Sequence, residues 1–326
     1  MEDVAARAGV ALKTVSRVVN EEPGVTPATA ERVRAAIDEL GFRRNDSARV
    51  LRKGQTASIG LVVEDIGDPF YSALSRAVED VVRSHGHVLF TGSSDEDPAR
   101  ERELALAFCA RRVDGLIVVP ASEDHTYLRP EIAAGIATVF VDRPASLIEA
   151  DTVLTDNAGG ARTGVTHLVR GGHRRIGFIG DAPRIYTSVQ RYRGYREAMT
   201  AAGLVVDDSW VTQSAPTASG IEAALHRMLS SSLTAVFCGN NRISVTALRA
   251  LAAMNGSLAF VGFDDFELAD MLTPGVTVVA QDVSMLGRLA AELLFRRLDG
   301  DRRPVEQVEV PARLITRGSG EIPPPR

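Results

Sequence analysis

From Ala57 to Leu298 the chain repeats one pattern, a short and nearly continuous apolar run followed by an amphipathic stretch of helical length. Strands are predicted at Ile59-Gly60-Leu61-Val62-Val63, His87–Thr91, Asp114–Val119 and Thr138–Val141, with helices over Ser75–Arg83 and Arg100–Arg111 and another between the last two strands. A second set begins after Asp156-Asn157. Its strands are Ile176–Ile179, Ala235–Cys238 and Leu258–Gly262, with helices around Arg193–Ala202, Gly220–Leu229 and Ser244–Met254. Residues 276–282 then lead into a helix over Met285–Leu298. Strands that are apolar on both faces and alternate with helices must be parallel and covered on both sides. Two such sets predict an α/β fold of two doubly wound parallel-sheet subdomains with a cleft between them. Ligands of open parallel sheets bind beyond the carboxyl ends of the strands.

The first forty residues read differently. MEDVAARAGVALKTVSRVVN predicts a short helix over Asp3–Ala8, a corner at Gly9-Val10-Ala11, and a second helix from Leu12. Val15, Val18 and Val19 fall three and four apart on one buried stripe. Lys13, Ser16, Arg17 and Asn20 share the opposite face. A short helix with an apolar back and a donor-rich front is the form that enters the DNA major groove; the alternative is a small surface helix pair with solvated charges. Thr26-Pro27 then opens a third helix, with a threonine N-cap and proline at the first position. Val33, Ile37 and Leu40 form its apolar face, and Gly41 ends it. The basic segment Asn45–Gly54 is too short and polar to fold alone and leads into the large α/β body.

Charge is divided between these parts. The net charge is −5, yet residues 1–53 hold ten Arg or Lys against eight Asp or Glu, leaving a head of +2 on a body of −7. Phosphate attraction is thereby confined to one end. No apolar run reaches transmembrane length, and the start of the chain lacks a signal-peptide apolar region, so the expected compartment is the cytoplasm, without membrane association. Cys109 and Cys238 have no metal-spaced partners and are expected to be buried reduced thiols. His85, His87, His125, His167, His173 and His226 are scattered, with no HExxH and no G-x-S-x-G elbow. Gly177 and Gly180 do not extend into a dinucleotide fingerprint. No enzyme and no cofactor is expected.

An ordered series of segments carries a family resemblance: DVAARAGVALKTVSRVVN, LGFRRNDSARVLRKGQTASIGLVV, DPFY, VDGLIVVP, VFVDRP, TDNAGGA, GGHRRIGFIGD, RYRGYREAM, TAVFCGNN, VGFDD and LGRLAAELL. In order and spacing the chain resembles bacterial repressors of the lactose-repressor (LacI) family over nearly its whole length. The resemblance implies a helix-turn-helix head at 1–44, a hinge helix and linker at 45–56, an effector-binding N-subdomain at 57–156 and 284–316, a C-subdomain at 157–283, and a flexible tail at 317–326. The body is then periplasmic-binding-protein-like. It further implies a homodimer on pseudo-palindromic operator DNA, controlled by a small effector, most simply a sugar. The alternative is a periplasmic-type sugar-binding protein without a DNA function.

Residue roles follow from the match. Leu12, Lys13, Ser16, Arg17 and Asn20 are expected to face DNA from the second helix. Asn45, Arg49 and Arg52 are expected to hold phosphates or the adjacent backbone from the hinge, with Leu51 as a minor-groove wedge. Matching positions in sugar-responsive relatives contact the effector, which implicates Asp142, Arg191, Asn240 and Asp264; Phe70 and Tyr71 lie after the first strand as either site or core rings. An arginine fork and carboxylates can each span two adjacent hydroxyls, and an aromatic face covers the apolar side of a sugar ring. For Arg191 and Asp264 the competing expectation is an ion pair between the lobes.

The chain departs from the family at several points. It begins at Met1-Glu2 without the residues that normally precede the first helix, and Ala11 stands where a serine or threonine N-cap is usual, at a cost of roughly 1 kcal/mol. Arg44 replaces the proline before the hinge, Asn241 a common aspartate and Thr246 a common glycine. Pro216 falls near where nucleobase-responsive relatives place an aromatic, which weakens a purine effector. The Pro-rich end has no heptads, so a dimer is the expected assembly.

Overall fold

The computed structural model describes residues 1–19, 22–42, 56–254 and 256–325. Met1–Thr56 and Ala57–Arg326 are two compact units. In the first, α1 (Glu2–Ala8), α2 (Leu12–Val19) and α3 (Pro27–Glu39) surround a core of Val4, Ala5, Ala8, Val15, Val33 and Ala36. Gly9 closes α1 at φ 63°, a left-handed conformation that side-chain-bearing residues adopt only at a cost. That turn lets α2 leave at an angle and set Val15 fully inside. The Thr26 hydroxyl accepts from the Thr29 amide and caps α3, with Pro27 at its first position. Leu40 departs from expectation: it is 45% exposed at the carboxyl end of α3, and Phe42 packs against the core instead.

The second unit contains two sheets. Its elements in chain order are β1 (Ser58–Val63), α4 (Pro69–Ser84), β2 (Val88–Ser93), α5 (Pro98–Ala110), β3 (Gly115–Val118), α6 (Arg129–Ala133), β4 (Ala137–Val141) and β5 (Asp151–Thr155). Then follow α7 (Asn157–Arg170), β6 (Ile176–Gly180), α8 (Tyr186–Ala201), β7 (Val211–Gln213), α9 (Ala218–Ser230), β8 (Ala235–Cys238), α10 (Asn241–Ala253), β9 (Ala259–Phe263) and β10 (Thr277–Ala280). The last are α11 (Val283–Leu298), β11 (Gln307–Val310) and β12 (Arg313–Ile315).

The first sheet runs β11-β5-β4-β3-β1-β2 with all neighbours parallel. The second runs β12-β10-β9-β8-β6-β7, parallel except for the β10–β12 edge pair. β1, β3, β6, β8 and β9 are buried at every position, which is why they read as unbroken apolar runs. The chain passes between the lobes after Thr155, again after Ala280, and a third time between Val310 and Arg313.

The third passage corrects two expectations. β12 belongs to the second sheet, so 284–316 does not lie wholly in the first lobe. The end of the chain is not a free tail either. Ser319 is 4% exposed, its hydroxyl donates to the Phe260 carbonyl (2.7 Å) and accepts from the Thr277 amide (2.9 Å), and His173 Nε2 lies 2.9 Å from the Ile322 carbonyl. Proline-rich composition hid a segment whose backbone polar groups are nonetheless satisfied against β9 and β10. Cys109 and Cys238 are both free and buried.

One close approach governs the second lobe. A Cβ on Gly194 would stand 2.1 Å from the Ala158 carbonyl oxygen, so α7 and α8 pack at backbone distance only because residue 194 has no side chain. α8 carries Arg191 one turn earlier. Gly194→Ala is expected to lower the free energy of unfolding by about 1–3 kcal/mol, the usual range for overpacking, measured by urea denaturation; an unchanged midpoint would show that the helices separate without cost.

Candidate functional site

The carboxyl ends of both sheets face one cleft with a cavity volume of about 50 Å³. All six residues expected at an effector site line it: Phe70, Tyr71, Asp142, Arg191, Asn240 and Asp264. Five of them follow a strand end or open the helix after it, and Arg191 lies in the second turn of α8, which is why positions so far apart in sequence converge.

Arg191 is 4% exposed and held through its Nε and Nη1. Its Nε donates to Asn157 Oδ1 (2.8 Å), and its Nη1 donates to the Gly239 carbonyl (2.7 Å) and to Asp264 Oδ2 (3.3 Å). Its guanidinium carbon lies 3.9 Å from the centroid of the Phe263 ring, a cation–π contact. The Arg191–Asp264 pair is therefore real, but both residues belong to the second lobe, so it does not hold the lobes together as an interlobe pair would. Asp264 also accepts from Gln281 Nε2 (2.5 Å), at the second crossing of the chain. Burial raises the Asp264 carboxyl above its ordinary value, while Arg191 and the Gln281 hydrogen bond oppose the shift.

Asp142 is the counterpart from the first lobe. It follows β4 as Asp264 follows β9, and both sit at positive φ, 69° and 67°. Aspartate tolerates this conformation better than most residues. Asp142 is 3% exposed and accepts no side-chain hydrogen bond among the described residues; its nearest cation is Arg143 Nε, 3.6 Å away. Burial pushes its pKa from 3.8 up to about 6, with Arg143 and Arg191 pulling the other way.

Arg143 organises the floor of the first lobe. Its Nη1 donates to both Glu96 oxygens (2.6 and 2.9 Å) and to the Pro120 carbonyl (2.7 Å), and its Nη2 donates to Glu64 Oε2 (2.9 Å). Tyr71 adds its hydroxyl to the same Glu64 oxygen (3.0 Å), so this ring is tied into the floor, while Phe70 packs edge-on against it with centroids 5.0 Å apart. Two arginines of the second lobe reach these glutamates across the cleft mouth: Arg242 to Glu64 (3.1 Å) and Arg184 to Glu96 (3.4 Å). Asn241 donates to Asp68 (3.1 Å) in a third bridge between lobes. Asn240 is doubly occupied, capping α10 through the Ile243 amide (2.8 Å) and donating to Asp181 (2.8 Å).

Sequence reasoning set Arg143 at a strand end without a role and passed over Glu64, Asp68, Asp181, Arg184, Gln281 and Arg242. Most carry the signal that found the others: Glu64 follows β1, Arg143 follows Asp142 after β4, Asp181 follows β6 and Gln281 follows β10. The pairing of Arg143 with two glutamates from other segments had no signal in one sequence. In the head, Leu12 and Lys13 are exposed on the first turn of α2, with Ser16 and Arg17 half-buried one turn on. Asn20, Asn45, Arg49, Leu51 and Arg52 lie outside the described residues. Among the described residues no helix is long and apolar enough to cross a membrane, and no group of His, Cys, Asp and Glu is placed to hold a metal ion.

Residues 1–45 match the family described as bacterial regulatory proteins, lacI family, and residues 165–320 match the periplasmic binding protein-like domain. The regulator CelR of Thermobifida fusca is 33% identical over 335 residues, covering 98% of each chain. The chain belongs to the LacI family of bacterial regulatory proteins. It is a DNA-binding transcriptional regulator with a helix-turn-helix head and a periplasmic-binding-protein-like body. GalR of Escherichia coli (strain K12) is 30% identical, covering 94% of this chain and 91% of its own. The solved CelR–cellobiose complex superposes with a TM-score of 0.72 at 30% identity, covering 98% of each chain. The lac repressor dimer bound to operator and the anti-inducer ONPF shares the fold, with a TM-score of 0.85 at 24% identity and 98% coverage of each chain.

Asp142 generates a pH prediction. Its folded pKa is raised from 3.8 to about 6, so the native state binds the proton more tightly than the unfolded chain, and stability from this group rises as pH falls from 6 toward 3.8. Above that window its ionised form costs about 3 kcal/mol. Asp142→Asn is expected to raise unfolding free energy at about pH 8 and to flatten its slope across that window. Chemical denaturation at a series of pH values checks both; a destabilised variant would show that the carboxylate supports the empty cleft.

Proposed function

We propose that this regulator binds a pseudo-palindromic operator as a homodimer, in the cytoplasm, and that a sugar bound in the cleft changes its operator affinity. The observation that carries the effector half is the cleft itself. Side chains from both lobes converge on it, and Asp142 lies almost wholly buried there with a carboxylate that no donor among the described residues reaches. A buried carboxylate of this kind is costly unless a donor reaches it. Adjacent sugar hydroxyls supply such donors, and the Phe70 and Tyr71 rings supply an apolar wall. The relative CelR, solved with cellobiose, supports the same ligand class.

A ligand that hydrogen-bonds to Asp142 from one lobe and Asp264 or Arg191 from the other binds the closed cleft better than the open one. It therefore shifts the population of closed molecules by that difference in affinity. On the DNA side, Lys13, Ser16 and Arg17 read base edges or adjacent phosphates and Leu12 meets a thymine methyl. Asn20 extends that face, and Asn45, Arg49, Leu51 and Arg52 act at the hinge, the leucine as a minor-groove wedge. No catalytic step is assigned to any residue.

Footprinting on the DNA upstream of the regulator's own coding region, with and without candidate sugars, tests the reading. A protected palindrome is expected, with Lys13→Ala or Arg17→Ala weakening binding by about 1–3 kcal/mol. Arg191→Ala is expected to keep operator binding and lose the sugar response. Equal binding of the Lys13 and Arg17 variants, or an intact response in the Arg191 variant, would contradict the assignment.

A further inference from the structure

We propose that the cleft selects a polyol without negative charge and rejects the phosphorylated or carboxylated form of the same sugar. This rests on the cleft being the effector site. The first observation is a charge imbalance. Five carboxylates, of Glu64, Asp68, Asp142, Asp181 and Asp264, line the main chamber against the guanidiniums of Arg143, Arg191 and Arg242. A recess at the mouth shares Glu64, Asp181 and Arg242 with that chamber and adds Asp65, Asp95 and Glu96 against Arg184 alone. Neither space is lined by a lysine or a histidine.

The second observation is that each cation is already paired with a protein acceptor, although the buried Nε of Arg143 has no hydrogen-bond partner among the described residues. Arg143 is held by Glu64, Glu96 and the Pro120 carbonyl; Arg191 by Asn157, Gly239 and Asp264; Arg242 by Glu64 and Arg184 by Glu96. An incoming phosphate would have to displace a protein carboxylate and leave it unpaired. Of the helix amino termini at the cleft, those of α4 and α10 are ordinary places for an anion. Both are filled from within, whereas the amino terminus of α8, N-capped by Ile185, carries no side-chain cap. Asp68 accepts from the Phe70 amide (2.8 Å) and Asn240 from the Ile243 amide (2.8 Å), so a carboxylate already occupies one of the two positions.

The third observation is independent of the count. Asp142, 3% exposed, is an acceptor that no donor of the described residues satisfies, and it lines this chamber. Hydroxyl groups repair that deficit, whereas a phosphate or carboxylate brings only further acceptors. Like charges brought together in a closed site cost several kcal/mol. The regulator therefore responds to a sugar before phosphoryl transfer or oxidation has given it a charge.

Isothermal titration of the full-length protein with matched sets tests this: galactose, glucose, ribose and cellobiose, each against its phosphate ester, and galactose and glucose also against their uronic acids. A neutral member is expected to bind, with its anionic counterpart weaker by about tenfold or more. Added salt screens the repulsion and narrows the gap. The double variant Asp95→Asn, Asp181→Asn is expected to narrow it as well. An anionic member that binds as tightly as its neutral counterpart, in low salt, overturns the charge rule while leaving a sugar effector intact. Neutral-sugar binding that survives both Asp142→Asn and Arg191→Ala, or no binding by any member, overturns the cleft reading itself and this inference with it.

Discussion

The burial of Arg191 is the constraint on which the rest of the cleft depends. A guanidinium 4% exposed is tolerable because its Nε and Nη1 donate to three acceptors of the second lobe and its flat face lies on Phe263. Those partners come from three separate places: Asn157 at the first crossing between lobes, Gly239 at the end of β8, and Asp264 at the end of β9. Asp264 is in turn held by Gln281 at the second crossing, and Gln281 is hydrogen-bonded to Thr155. One side chain thus ties the strand ends of the second sheet to two of the segments about which the lobes can move. An effector bound as proposed would reach the crossings through these hydrogen bonds.

Arg143 plays the matching part in the first lobe, with a different consequence. It gathers Glu64 and Glu96 into one place, and those glutamates then meet Arg242 and Arg184 from the second lobe. Both bridging arginines are about half exposed, so these pairs are individually weak and easily exchanged with water. The cleft combines buried polar groups within each lobe with two soft, exposed ion pairs and one buried hydrogen bond, Asn241 to Asp68, between them. That arrangement favours movement at the mouth over rearrangement of the floor.

Much of this was legible before any coordinates. The alternating apolar runs gave the strand-and-helix order because both faces of β1, β3, β6, β8 and β9 are buried, and Gly9, Thr26 and Pro27 marked the head. The elements that escaped have physical reasons. β5 begins with Asp151, whose buried carboxylate pairs with Arg297 (2.6 Å), and a strand opened by a charge does not read as core. α7 begins Asn157-Ala-Gly-Gly, a poor helix by propensity, yet Gly160 and Gly164 let it lie against the second sheet. The chain end was read as free because prolines resemble a linker, while its anchors, Ser319 and the Ile322 carbonyl, leave no compositional trace. At the site, position after a strand was a sufficient guide to Asp142 and Asp264. The Arg143–Glu64–Glu96 cluster was not, since three-body pairing across distant segments is set by topology alone.

The central claim is that one small ligand in the cleft and one DNA duplex at the head are coupled through the same conformational equilibrium. Coupling free energies are reciprocal, so the most direct measurement is effector affinity by titration calorimetry in the absence and presence of saturating operator. The account predicts a change in effector affinity by the same factor, and in the same direction, as the effector changes operator affinity. Effector affinity that is identical with and without operator would contradict it, because the cleft would then bind its ligand without controlling DNA.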